Sequence, residues 1–337
     1  MAIKIGGNNV FDNNRRTTID TITVNSYTKG QLASLSGSAA GDIVYGSDVD
    51  GGRLVAWTGS AWNYSTAVTY SITPPGGNPT IYNSTTQSFE ITTAGTYTMV
   101  VDSGGDFTTT IHAVGSGGGD GTQNGGGGGG GYTTATAVFK AGQTYKIVVG
   151  AAGPGGGSSP GVGGGTPGDN NRGGGGGYSG IFSSSVSFPT AAMIAGGGGG
   201  NGSSPRGGGG GGGVPSGRNS TGPGPQAGGG TQTSGGSPNG SALTGGSNLA
   251  GGGGGYYGGG GGKDNGPYSP GGAGGSGYYG GHPQLPLSST TSNAGGDAGG
   301  NRAPGVPGDF PGTAGNGGNS PGNTDGFVGG FRIDVIS

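Results

Sequence analysis

Few residues in this 337-residue chain are equipped for chemistry, so their spacings come first. There are two histidines. His112 lies in the alternating run DFTTTIHAVG (106–115), and His282 lies in the loop-like GGHPQLPL (280–287). Neither has carboxylates at the spacing of a metal site or a catalytic triad. Asp102, Asp106 and Asp120 fall around turns, where aspartate is favoured for its own backbone hydrogen bonding. No Asp/Glu pair stands out as the two carboxylates of a glycosidase. The stretch GGGGGK (258–263) imitates a phosphate-binding loop, but Asp264 follows the lysine where Ser or Thr is required, and no strand precedes it. The absence of cysteine removes thiolate metal sites and disulfide scaffolds. The expectation is a protein without catalysis, cofactor or metal.

Binding chemistry is better represented. Tyr256–Tyr257 and Tyr278–Tyr279 are doublets flanked by glycines, in GGYYGG and SGYYGG. Tyr268 lies between them in NGPYSPGG, and His282 follows just beyond. Tyrosine offers a large area, few rotamers and a hydroxyl, which suits a recognition surface and stacking on sugars. The alternative role is structural: the rings cover the flanks of a glycine region that has no apolar side chains of its own. These six residues are the candidate receptor contacts, and the two roles can hold for different rings.

The elements that must position these rings are unusual. Only 14 of the 99 glycines fall in residues 1–110, and 17 of the 20 prolines lie beyond residue 115. The chain thus changes regime near Gly115. Charged residues make up 8% and the net charge is −2, which leaves no basic face for nucleic acid. No stretch approaches 18 apolar residues, so membrane insertion is not expected, and the first residues lack the apolar run of a signal peptide.

Residues 1–66 read as a small β module. IKI (3–5) followed by GGNN is strand and turn, TTIDTITV (17–24) alternates, and TKGQLASL (28–35) suits a helical turn. GDIVYGSDVDGGRLVAWTGSAWNY (41–64) reads as a hairpin with a third short strand, with Trp57 and Trp62 closing its core. So small a module buries little apolar surface, which favours oligomerisation. Residues 67–337 form the second domain: a β scaffold over 67–150, a glycine-rich part over about 115–326, and a returning strand at 327–337. Strands are expected at QSFEITTAGTYTMVVD (87–102), DFTTTIHAVG (106–115), YTTATAVF (132–139), TYKIVVG (144–150) and AAMIAG (191–196).

Glycine runs occupy 125–131, 173–177, 196–200, 207–213, 251–255 and 258–262. Composition alone fits a flexible spacer. Apolar strands bracket these runs, however, and turn residues separate them at short intervals, as in a chain that reverses repeatedly. A glycine run has no side chain to bury and is poor in helix and strand. The remaining regular form is polyproline II, with three residues per turn and ~3.1 Å rise. Its N–H and C=O groups point outward, so several such helices can satisfy one another only where glycine lets the backbones approach.

FEITTAGTYTMVV (89–101), GGGGGGGYTTATAVFKAGQTYKIVVGAAGPGGG (125–157), GGGGGYSGIF (173–182), MIAGGGGG (193–200) and GFVGGFRIDV (326–335) together resemble the glycine-rich domains of phage tail-fibre proteins and adhesins. The resemblance covers about residues 87–337. It implies a mainly β fold carrying a bundle of polyglycine II helices. Related domains in receptor kinases contain cysteines, and this chain has none. IKIGGNNVFDNNRRTTIDTITV (3–24) and the 41–63 hairpin are similar to modules near the start of phage fibre proteins, which attach to the virion and often trimerise. The resemblance implies a location in the virion, with partners among other virion proteins and a host surface polysaccharide or outer-membrane protein. A purely structural virion component (fibre spacer, tail or baseplate part, capsid decoration) is the alternative.

Overall fold

The computed structural model describes residues 4–5, 8–9, 26–27, 31, 43–46, 53–57, 62–63, 68–84, 87–102, 105–121, 125–156, 162–167, 171–202, 207–222, 225–263, 269–297, 306–307, 310, 313–318 and 324–334. The protein is mainly β, and its chain divides into two compact units. One comprises Met1–Val68 with Ser103–Gly105, and the other Thr69–Asp102 with Asp106–Ser337.

In the first unit, β1 (Lys4–Ile5) pairs antiparallel with β2 (Asn8–Asn9), so the two asparagines of the GGNN read as turn belong to a strand. A four-stranded sheet has the order β3 (Ser26–Tyr27), β4 (Ile43–Gly46), β5 (Arg53–Trp57), β6 (Trp62–Asn63). β4, β5 and β6 form the meander read from the sequence, with Trp57 opposite Trp62, while β3 joins β4 in parallel. The expected strand at 17–24 lies outside the described residues, and of the expected turn at 28–35 only Gln31 is described, as helix.

The second unit contains two antiparallel sheets. The six-stranded sheet has the order β15 (Ala191–Ala195), β14 (Ser179–Ser183), β13 (Thr144–Val149), β10 (Gly95–Val101), β7 (Thr69–Thr73), β8 (Thr80–Asn83). The five-stranded sheet has the order β16 (Leu287–Asn293), β12 (Tyr132–Phe139), β11 (Phe107–Val114), β17 (Gly330–Ile333), β9 (Phe89–Ile91). β11 contacts β14 and β15, and β17 contacts β13 and β14, so the sheets pack face to face. Period-two patterning explains the core. In β10, Tyr97, Met99 and Val101 are buried while Val100 and the threonines face away. Met99, Ile111, Ile147 and Ile181 are completely buried between the sheets. A row of rings runs across one end of this core. Tyr70 stacks on Phe107 at 5.4 Å, Phe107 on Phe139 at 4.9 Å, and Phe139 meets Tyr145 edge-on at 5.1 Å. The β12–β13 reversal places Gly142 at φ +70, a left-handed conformation that favours glycine.

The scaffold extends beyond the expected 67–150. β14, β15 and β16 all belong to it, and β16 interrupts the stretch read as an unbroken glycine excursion. β16 is the sequence LSSTTSN at the sheet edge, mostly exposed or half-buried. An edge strand with so little apolar alternation carries almost no sequence signal.

The glycine runs carry neither strand nor α-helix assignment; among the described residues helix is limited to Gln31 and a 3-10 turn at Phe188–Thr190. The runs at 127–131, 173–177, 196–200, 207–213, 251–255 and 258–262 are nevertheless buried. Their backbones bond to one another. Gly251 and Gly254 donate to Gly173 O and Gly176 O, and accept from Gly200 N and Gly197 N. Gly252 donates to Gly246 O and accepts from Gly165 N, while Gly253 donates to Ala273 O and accepts from Gly259 N. Each residue therefore addresses a different pair of neighbours, and the pattern returns after three residues. The approach is very close: a Cβ on Gly253 would lie 2.0 Å from Gly197 O, and one on Gly175 would lie 1.9 Å from Gly252 O.

Candidate functional site

The glycine segments and the edge of the six-stranded sheet together hold a cluster of rings. The 3-10 turn between β14 and β15 presents Phe188, with Pro189 at its start. The chain from Tyr278 runs beside β15: Tyr278 and Ile194 exchange two backbone hydrogen bonds at 2.8 Å, and Gly281 N donates to Ala192 O at 3.1 Å. Tyr256 and Tyr257 separate two glycine segments. Tyr256 N donates to Ser276 O at 2.9 Å, Leu243 N donates to Tyr256 O at 3.2 Å, and Ser276 N donates to Tyr257 O at 2.9 Å. Ser276 Oγ accepts from Tyr257 N at 3.1 Å, so one serine fixes the doublet through backbone and side chain.

These anchors produce a three-ring stack. The Tyr256 ring lies 3.9 Å from Tyr278 at an interplanar angle of 9°, and 4.4 Å from Phe188 at 23°. Tyr257 meets Phe188 edge-on at 5.0 Å and Tyr256 at 5.6 Å. Tyr256 and Tyr278 also pack on the buried cluster of Val148, Tyr178, Phe182, Ala191 and Ile194. Phe188, Tyr256, Tyr257 and Tyr278 are all half-buried. One side thus rests on the core and the other reaches solvent. Aromatic pairs of this geometry contribute about 0.5–1.5 kcal/mol beyond their buried area. Burial raises the Tyr256 phenol above its ordinary pKa, and the neighbouring phenols of Tyr278 and Tyr257 raise it further. Beneath the stack, burial pushes Tyr178 up to about 12. The Tyr256 hydroxyl therefore stays neutral at ordinary pH and can donate and accept.

Tyr256, Tyr257 and Tyr278 are brought together. Tyr279 and His282 are half-buried on the same stretch beside β15 but outside the stack. His282 heads a tight turn in which Leu285 N donates to His282 O at 2.8 Å and Gln284 N donates to His282 Nδ1 at 3.2 Å. The Tyr145 hydroxyl donates to Gln284 O at 2.7 Å and ties that turn to the core. Tyr268 lies outside the described residues. Phe188 was not anticipated; its only sequence signal is an aromatic residue before proline in the loop between two strands.

His112 has no carboxylate at short spacing in the sequence, but the fold brings one to it. Its Nε2 is 2.8 Å from Asp334 Oδ2 and its Nδ1 is 2.7 Å from the Tyr132 hydroxyl. A carboxylate only accepts, so Nε2–H donates to Asp334 and, in the neutral ring, Nδ1 accepts from Tyr132. Arg332 Nε bonds the other Asp334 oxygen. His112 is buried and sits where β17 pairs with β11, with Arg332 directly opposite it, so the group clasps that pairing. Asp106, just before β11, binds the β12–β13 turn: Lys140 Nζ and Ala141 N each donate to it at 2.8 Å.

Among the described residues no cluster of three or more His, Asp or Glu side chains could hold a metal, and no helix is long and apolar enough to cross a membrane. The chain matches no protein-family model and no curated protein.

Proposed function

We propose that this chain is a virion appendage protein of a bacteriophage, an adhesin that binds a host surface polysaccharide or outer-membrane protein and catalyses no reaction. The single observation carrying this reading is the half-exposed ring stack of Phe188, Tyr256 and Tyr278, with Tyr257 at its edge. Rigid aromatic area with hydroxyl handles on an immobile backbone loses little entropy on binding. The sequence resemblance to phage adhesins supports the same reading. It also supplies the expected partners, the location in the virion, and trimerisation through the first unit.

The glycine segments are read as polyglycine II helices packed into a bundle. Supporting this are the three-residue return of their hydrogen-bond partners and approaches that exclude any Cβ. Their role is to hold the rings on a stiff body whose backbone groups are satisfied internally.

A second reading, a structural virion component without receptor binding, draws on one observation: Tyr256 and Tyr278 pack on the core cluster and have a structural task already. The two readings separate at Tyr257, which edges the stack. Phage carrying Tyr257→Ser and Tyr279→Ser should assemble normally and adsorb to host cells at least about tenfold more slowly. Unchanged adsorption by these assembled particles would leave the structural reading.

A further inference from the structure

Away from the rings, the glycine segments frame an open cleft of about 520 Å³ whose chemistry the stack does not share. Its lining contains no aromatic or aliphatic side chain; it is built from glycine, serine, threonine, asparagine, glutamine, Arg218 and Asp297. The walls are held by neighbouring backbones. Asp297 Oδ1 accepts from Gly210 N at 2.7 Å, Asn219 Oδ1 from Gly229 N at 2.8 Å, and Ser220 Oγ from Ala227 N at 2.9 Å. Asp297 Oδ2 accepts from Arg218 Nη1 at 3.3 Å.

These anchors use some of the lining's hydrogen-bonding capacity and leave the rest for a ligand. Asn219 is anchored through its oxygen, which leaves its amide donors. Arg218 is half-exposed, and a guanidinium has five donors, of which the Asp297 contact uses one. Gln226 donates to Gly222 O through Nε2, which leaves its carbonyl as an acceptor. Ser216 is exposed and supplies a hydroxyl of either sense. Donors and acceptors thus share one opening, with Asn219, Ser220 and Asp297 tied to neighbouring backbones before any ligand arrives.

The ligand class follows by elimination. An apolar ligand would find no apolar wall, whereas ordinary small-molecule pockets are mostly apolar. A phosphate or other simple anion would meet the Asp297 carboxylate beside Arg218, the one cation of the described lining. A dense set of hydroxyls, each donor and acceptor at once, matches both. We infer that this cleft binds a neutral sugar residue, with Arg218, Asn219 and Asp297 hydrogen-bonding its hydroxyls. The inference deepens the host-surface reading and rests on it only for the biological source of the sugar.

The test is saturation-transfer NMR on the purified full chain with D-glucose, D-galactose and N-acetyl-D-glucosamine, each at about 10 mM, in the range of weak single-residue binding. The wild type should show transfer to at least one sugar. Arg218→Ala should reduce it about tenfold, and Asp297→Asn, which keeps an acceptor for Gly210 N, about threefold. Ile81→Ser, at an exposed position on the outer strand β8, should leave it unchanged. Thermal melts establish that each variant is folded. No transfer to any of the three sugars in the wild type, or transfer equal to wild type in both folded cleft variants, overturns the inference, as does loss of transfer in Ile81→Ser. Adsorption is a separate readout: normal adsorption of phage carrying Tyr257→Ser and Tyr279→Ser, with sugar transfer to the wild-type chain intact, counts against the adhesin and leaves the cleft.

Discussion

The sandwich and the glycine segments of the second unit are both buried, but they are buried by different atoms. In the sandwich, side chains such as Met99, Ile111 and Ile147 leave water completely, at about 1.5–3 kcal/mol each. In the glycine segments the buried matter is backbone, and most of these peptides exchange water for a neighbour's C=O or N–H. The net gain per such bond is only about 0.5–1.5 kcal/mol, and an unpaired group costs about 1–3 kcal/mol. A region held this way must pair nearly all its groups or fail. That favours many short parallel and antiparallel neighbours over a few long ones.

Substitution should expose the contrast. The largest effect is expected for Gly253→Ala, because the Cβ would stand 2.0 Å from Gly197 O and 2.6 Å from Gly197 C. Gly197 is itself bonded to Gly254 and Gly275, so neither backbone can yield alone. A loss of at least about 4 kcal/mol, or failure to fold, is expected in denaturant titration. A single methyl added to a β-sandwich surface would hardly register.

Next is Met99→Ala, a side-chain cavity, expected to cost about 2–5 kcal/mol in the same titration. If this change hurt more than Gly253→Ala, the backbone account of the glycine segments would be wrong. Third is His112→Leu, which removes the partner of Tyr132 and one partner of Asp334. The expected loss is about 1–3 kcal/mol, and amides of β17 should exchange faster than those of β13. Exchange in the two strands rising equally would show that the clasp is not local.

The smallest effect concerns Asp106. The hydrogen bond from Lys140, then that from Ala141, lowers its pKa from the ordinary carboxylate value of 3.8. A depressed folded pKa contributes stability that is present above the unfolded value and lost as pH falls through the folded one. The site is solvent-exposed, so the contribution is at most about 0.5 kcal/mol. Asp106→Asn should therefore flatten slightly the fall of stability below about pH 4, seen by acid titration, and change little at pH 7.

How much of this was legible follows from which atoms do the holding. The meander of β4, β5 and β6 was readable because apolar alternation and Gly/Asp turns mark it. β16 was not, because Ser and Thr at an edge carry no burial signal. The His112–Asp334 contact joins residues 222 positions apart, and only the pairing of β17 with β11 brings them together. Three of the tyrosines were identified by their isolation among glycines, but their stacking partner Phe188 was not, since the β14–β15 turn decides where it goes. Run lengths suggested that glycine segments pack. Which run neighbours which cannot be read from residues that have no side chains to match.

The central claim is that the glycine segments are a hydrogen-bonded part of the fold. Amide hydrogen exchange across 251–254 and 258–262 tests it most directly. Protection of at least about a thousandfold, comparable to the amides of β10 and β13, is the result predicted. Exchange at the unprotected rate across both stretches, with β10 and β13 still protected, would contradict it.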